Sequence, residues 1–183
     1  MTDADVLPRL LHAIDVLDWP AVRQAFADEV RLDYTSLFGG QPETLPGDEL
    51  IARWRALLPG FDATQHMLGP VVLTDDAGPG VRADAHVRGY HHIGGQDGGQ
   101  TWAVHGHYTA RLVDSKITEL TLALFYQEGE LDLPAVANER AATSPRQSAA
   151  PGRVSPAFIA THLDQGLSLV SSGVSRERVT GTT

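Results

Sequence analysis

The sequence predicts an α+β fold: N-terminal helices followed by a curved, mostly antiparallel sheet. Three observations carry that expectation. Apolar residues recur at helical spacing up to about residue 60, long alternating runs fill the chain from residue 63 to about 127, and Gly-rich or very short turns separate those runs.

The elements follow in order. In "DADVLPRLLHAIDVLDWPAVRQAF", Val6, Leu7, Leu10, Leu11, Ile14 and Leu17 keep helical spacing and predict a first amphipathic helix to about Asp18. Asp18 is placed to cap a second, short helix opened by Trp19 and Pro20. "EVRLDYTSL" alternates Val30, Leu32 and Tyr34 against Arg31, Asp33 and Thr35, the period of a half-buried strand. "FGGQPETLPG" reads as a loop, and "GDELIARWRALLP" as a third helix stopped by Pro59, with Leu50, Ile51, Trp54, Leu57 and Leu58 on one face. Strands are then predicted at about 63–74, 80–93, 101–113 and 116–127.

The 183 residues fit one domain with a tail. The composition shifts at about Glu130, so the domain is assigned to residues 1–131 and a C-terminal extension to 132–183. Within that extension "ANERAATSPRQSAAPG" has linker composition, and "SPAFIATHLDQGLSLV" is a candidate short helix with Ser155 as cap.

Composition removes several function classes. A net charge of -9, with Lys116 as the single lysine, gives no basic patch for nucleic acid. The chain has no cysteine, hence no thiolate nucleophile and no thiolate metal site. No apolar run approaches membrane-spanning length and the N-terminus lacks a basic, then apolar, leader, so no membrane partner and a cytoplasmic location are expected. Patterns for a nucleophile elbow, a dinucleotide fold or a phosphate loop do not occur. What survives is acid–base chemistry by His, Asp and Tyr.

Eight histidines are many for this length, and His86, His91, His92, His105 and His107 fall on two neighbouring predicted strands. Strand parity puts His91 on the apolar face with Val87 and Gly89, and His86, Arg88 and His92 on the polar one. A histidine on an apolar face is either a hydrogen-bonded core residue or part of a site, and parity leaves both open. His105 and His107 share a face, but no third ligand joins them, so no metal site is predicted. Asp15 borders the apolar stripe of the first helix, where a carboxylate is costly unless paired.

Taken in order, "LDWPAVRQAFADEVRLDYTSL", "GDELIARWRALLPGFDATQHMLG", "AHVRGYHHI" and "LALFYQEGE" resemble the SnoaL-like family of the nuclear-transport-factor-like superfamily, and its scytalone dehydratase branch above all. The resemblance covers about residues 5–131. It implies a cone-shaped α+β barrel, the sheet wrapped around the helices, with a deep apolar pocket suited to a small aromatic or polycyclic ligand. It also implies the site. Asp15 matches a carboxylate that pairs with the histidine of "TQH", here His66; Tyr34 matches a tyrosine that acts at the substrate carbonyl; His91 matches a second pocket histidine. Trp54, Tyr108, Trp19, Phe38 and Leu68 are the expected substrate-binding residues. Two positions depart from that branch: Ile14 stands where it has a tyrosine, and Tyr108 falls near its pocket asparagine.

The implied activity is cofactor-independent dehydration, or dehydration with cyclisation, of a hydroxylated polyketide-type ketone, with no metal. Alternatives within the superfamily are a polyketide cyclase or isomerase without net loss of water, an epoxide-opening hydrolase using Arg88 and Asp84, and a non-catalytic ligand-binding or association module. Such proteins form homo-oligomers, dimers or trimers here, through the outer sheet face, for which His86, Arg88 and Tyr90 are candidates.

Overall fold

In the computed structural model, residues 2–75, 78–95 and 98–148 are described. Helix α1 (Val6–Asp15) buries Val6, Leu7, Leu10, Leu11 and Ile14, as their spacing predicts. It stops at Asp15 rather than near Asp18 because Leu17 takes a left-handed backbone, φ 57°, that breaks the helical ladder. Helix α2 (Trp19–Ala25) begins with Pro20 in its first turn, and the Asp18 carboxylate accepts the Ala21 N–H at 3.1 Å. Strand β1 (Phe26–Asp33) buries Phe26, Val30 and Leu32.

The stretch read as a loop contains more structure than its composition suggested. Asp33 accepts the Thr35 N–H and hydroxyl at 3.1 and 2.7 Å and starts a one-turn helix α3 (Thr35–Phe38). Strand β2 (Glu43–Pro46) follows, pairs with β1, and leads into helix α4 (Gly47–Arg55). Pro59 lies in a 3₁₀ turn, Leu58–Gly60.

The predicted strand at 63–74 is two strands, β3 (Ala63–Leu68) and β4 (Val72–Thr74), interrupted at Gly69 and Pro70. Proline has no N–H to give to a ladder. Strands β5 (Val81–Ile93), β6 (Gln100–Val113) and β7 (Lys116–Gly129) match their expected bounds closely. Asp114 and Ser115, both at positive φ, make the tight turn between β6 and β7.

The sheet order is β2-β1-β7-β6-β5-β3, with β4 also paired to β5. All pairings are antiparallel except β1 with β7. The β6–β7 register shifts at His105/Gly106 and Arg111/Leu112, where Phe125 and Thr118 are extra residues on β7, mark bulges, which bend a sheet. Its inner face shares one buried cluster with α1, α2 and α4, which gives the cone. The opposite face is polar, with Phe125, Tyr126 and Met67 exposed on it. No helix among the described residues is long and apolar enough to cross a membrane.

The largest difference from expectation lies after residue 132. Leu133–Thr143, read as the start of a linker, is a helix, α5, with Leu133 and Ala137 fully buried. Two apolar anchors suffice to dock it on the 3₁₀ turn, and the Arg140–Asp62 ion pair at 2.7 Å fixes its last turn. The candidate helix beyond Ser155 lies outside the described residues.

At the docking point only glycine fits, because a Cβ on Gly60 would fall 1.7 Å from the carbonyl oxygen of Ala137. Gly60→Ala should therefore displace α5 and cost on the order of 2 kcal/mol in a denaturant titration. A variant as stable as the wild type would show that α5 does not pack there.

Candidate active site

The site begins with where α1 ends. Asp15 is its last residue, so the carboxylate projects from the helix end toward β3. Asp15 Oδ2 accepts the backbone N–H of His66 at 2.8 Å, and Oδ1 lies 2.7 Å from His66 Nδ1. One carboxylate thus holds both the strand and the ring. Burial raises the Asp15 pKa, but the hydrogen bonds and charge of His66, with a hydrogen bond from Thr64, outweigh it and keep the carboxyl below its usual range. An ionised carboxylate accepts only, so Nδ1 carries a proton, and in the neutral tautomer this selects, Nε2 is the acceptor.

His66 Nε2 faces a cavity with about 650 Å³ of empty space, its open mouth included. The lining is aromatic and aliphatic, and among the described residues its ionisable side chains are His66, His91, Tyr34 and Tyr108, with neither Lys nor Arg.

His91 lies deeper, with the two imidazoles edge to face at 5.3 Å between centroids. Its Nδ1 donates to the Trp102 carbonyl at 3.3 Å, and Trp102 and Phe61 pack against its ring. Burial foremost, and then the neighbouring His66, lowers its pKa to about 3, against the pull of the Trp102 carbonyl and Asp15. The ring is neutral at physiological pH, with Nε2 as an acceptor. Gly89 makes room for both rings: a Cβ there would stand 3.2 Å from His66 Nε2 and 3.3 Å from His91 Cε1.

Across the cavity the Tyr34 and Tyr108 hydroxyls meet at 2.9 Å. Burial is the main reason both phenols hold their protons above the ordinary range. Each has one hydrogen, so whichever accepts keeps its own O–H free for a ligand.

The structure brings together most of the residues picked out in the sequence. Asp15, His66, His91, Tyr34, Trp54, Tyr108 and Phe38 sit in or directly behind the cavity wall. Two do not. Trp19 opens onto a surface groove between α2 and α4 with Arg55 5.6 Å over its ring, because the turn at Leu17 carries α2 away from the mouth. Leu68 shares a strand face with His66, but it lies two residues further along β3, past the cavity wall, and packs into the core cluster.

Residues not singled out beforehand include Trp102 and Val104, which line the cavity beside Gly89, already placed by parity on the face of His91. Parity could have found them too, since Trp102 and Val104 share the inward face of β6 with Tyr108. Arg88 and Asp84 are not paired with each other and do not line the cavity. Asp84 binds Arg82, His107 and Thr109, while Arg88 lies against Tyr90 and pairs with Glu128. Among the described residues no group of three metal-ligating side chains occurs.

A curved sheet wrapped on helices, with a hydrogen-bonded His–Asp pair at an apolar cavity, is the arrangement that the resemblance to the nuclear-transport-factor-like superfamily leads one to expect. A family model described as a SnoaL-like domain matches residues 4–116, and the chain belongs to that family. Among solved structures it is similar to the Kfla4162 protein of Kribbella flavida, at 26% identity over 74% of this chain and 93% of that one, with a TM-score of 0.63. It is similar in fold to the hexachlorocyclohexane dehydrochlorinase LinA-type3 of Novosphingobium barchaimii, at 15% identity over 69% and 86% and a TM-score of 0.55. A provisionally assigned scytalone dehydratase of Novosphingobium aromaticivorans shares the fold at 13% identity over 82% and 91%, with a TM-score of 0.54. No curated protein matches the sequence.

The depressed His91 pKa has a measurable consequence. Below its ordinary value of 6.5 the unfolded chain takes up a proton that the folded chain refuses until about pH 3. Stability should therefore fall as pH drops through that window. His91→Gln should flatten the dependence in denaturant titrations, and an unchanged slope would show that His91 is not held neutral.

Proposed function

We propose that this protein is a cofactor-independent lyase that removes water from a neutral, hydroxylated aromatic polyketide-type ketone by acid–base catalysis. The observation that supports it most is the Asp15–His66 hydrogen bond at the wall of an apolar cavity, which in the neutral ring makes Nε2 the proton acceptor.

Loss of water β to a carbonyl needs a base for the α-proton, a donor for the enolate oxygen and an acid for the leaving hydroxyl. His66 Nε2 takes the α-proton, and Asp15 stabilises the imidazolium that results. The free O–H of the Tyr34–Tyr108 pair donates to the carbonyl oxygen as negative charge develops there. When the enolate re-forms its carbonyl and a double bond, the C–O bond breaks and the leaving hydroxide takes the proton from His66, which restores the base and releases water.

His91 assists at the leaving oxygen as an acceptor. Its proton sits on Nδ1 against Trp102, so Nε2 can only accept, and it orients the substrate hydroxyl. The absence of a cation from the lining favours an uncharged substrate, and Trp54, Trp102, Tyr34, Tyr108 and Phe38 favour a flat aromatic one.

The same base and donor can start ring closure without loss of water, since both reactions begin with an enolate. The products separate the two: elimination lowers the product mass by one water and cyclisation alone leaves it unchanged. Against hydroxylated tetralone- and polyketide-type ketones, His66→Ala and Asp15→Asn should each lower turnover on the order of 10²- to 10⁴-fold. Tyr34→Phe should lower it less, since Tyr108 retains a hydroxyl. Near wild-type turnover in the His66 variant would overturn the assignment.

A further inference from the structure

The segment that follows α5 runs back to the dyad. The Arg146 N–H donates to the Pro59 carbonyl at 2.6 Å, and Ser148 Oγ donates to the carbonyl of Val16, one residue past Asp15, at 3.2 Å. Between these two anchors the Arg146 guanidinium turns inward. Its Nη2 donates to Thr64 Oγ1 at 3.2 Å, and Thr64 is among the groups that hold the Asp15 carboxyl below its usual range. Arg146 Nε is buried without a hydrogen-bond partner. A half-buried cation with one buried, unpaired donor carries a desolvation cost, which calls for a reason.

We propose that Arg146 is a positioning residue of the dyad: through Thr64 it fixes the Asp15 carboxylate from behind, and its charge offsets that of Asp15 beside His66. The proposal rests on the reading of Asp15 and His66 as the acid–base pair. It gives the C-terminal segment, which has the composition of a linker, a part in the site.

The electrostatics agree with this geometry. Burial lowers the Arg146 pKa, and the charges of Asp15 and Asp62 oppose that effect. An arginine remains a cation throughout the ordinary pH range. The groups around His66 are Asp15 from α1, Thr64 on its own strand, His91 from β5, Arg146 from the C-terminal segment, and Tyr34 and Tyr108 across the cavity. Asp62 is neutralised by Arg140. His91 is uncharged, and Arg146 is a cation whose charge acts on that of Asp15.

The test is the titration midpoint of His66, followed through its imidazole nitrogens by NMR in the full-length protein. Arg146→Gln should raise the midpoint by about half a unit to one unit, since one nearby positive charge is lost, and Arg146→Lys should restore most of the shift. An unchanged or lowered midpoint in Arg146→Gln would overturn the proposal. Asp15→Asn in the same experiment reports on the dyad alone: it should lower the midpoint, and if it does not, the acid–base pairing itself fails. Should Arg146→Gln not fold, the wild-type Arg146 guanidinium still decides. Hindered rotation in its nitrogen spectrum is required, and a freely rotating, solvent-exposed signal would contradict the contact with Thr64.

Discussion

The arrangement turns on one carboxylate. Asp15 sits at the last residue of α1, where the left-handed turn at Leu17 ends the helix, and it accepts from both the backbone and the ring of His66. A buried carboxylate without partners would destabilise the fold or take up a proton. With two donors from a neighbouring strand it does neither, and it ties the helical layer to the edge of the sheet. The contact that keeps α1 and β3 together is also the one that fixes the tautomer of the proposed base.

The rest of the cavity supplies the environment that makes the base useful. The lining carries no fixed charge, and His91 is held neutral by burial. In such surroundings a hydrogen bond from the Tyr34–Tyr108 pair to a developing enolate is stronger than in water. Gly89 is part of the same design, since any side chain there would occupy the space the two imidazoles need. Both histidines lie on or beside β5, and the antiparallel pairing of His66 with Gly89 sets their spacing.

Much of this was legible in the sequence for identifiable reasons. Strand parity placed His91 inside and His86 outside, because β5 is long, regular and buried on one face only. Helical spacing found α1, and the motif order found the Asp15–His66 pairing that no periodicity could have revealed. What escaped depends on tertiary contacts. The end of α1 was misjudged because Leu17 is apolar in pattern yet left-handed in backbone, and Trp19 was misplaced with it. Helix α5 has a weak apolar pattern, only Leu133 and Ala137 being buried, and its stability comes from docking on Gly60. Arg146 looks in the sequence like any polar residue beside a proline; its meaning lies in Thr64, some eighty residues away along the chain.

The central claim, that Asp15 presents His66 with Nε2 as a free base to the cavity, is tested most directly by assigning the His66 tautomer with ¹⁵N NMR at about pH 8. The predicted result is a protonated Nδ1 in a strong hydrogen bond, lost in Asp15→Asn, and an unprotonated Nε2. A ring protonated on Nε2, or an Nδ1 proton unaffected by the loss of the carboxylate, would contradict it.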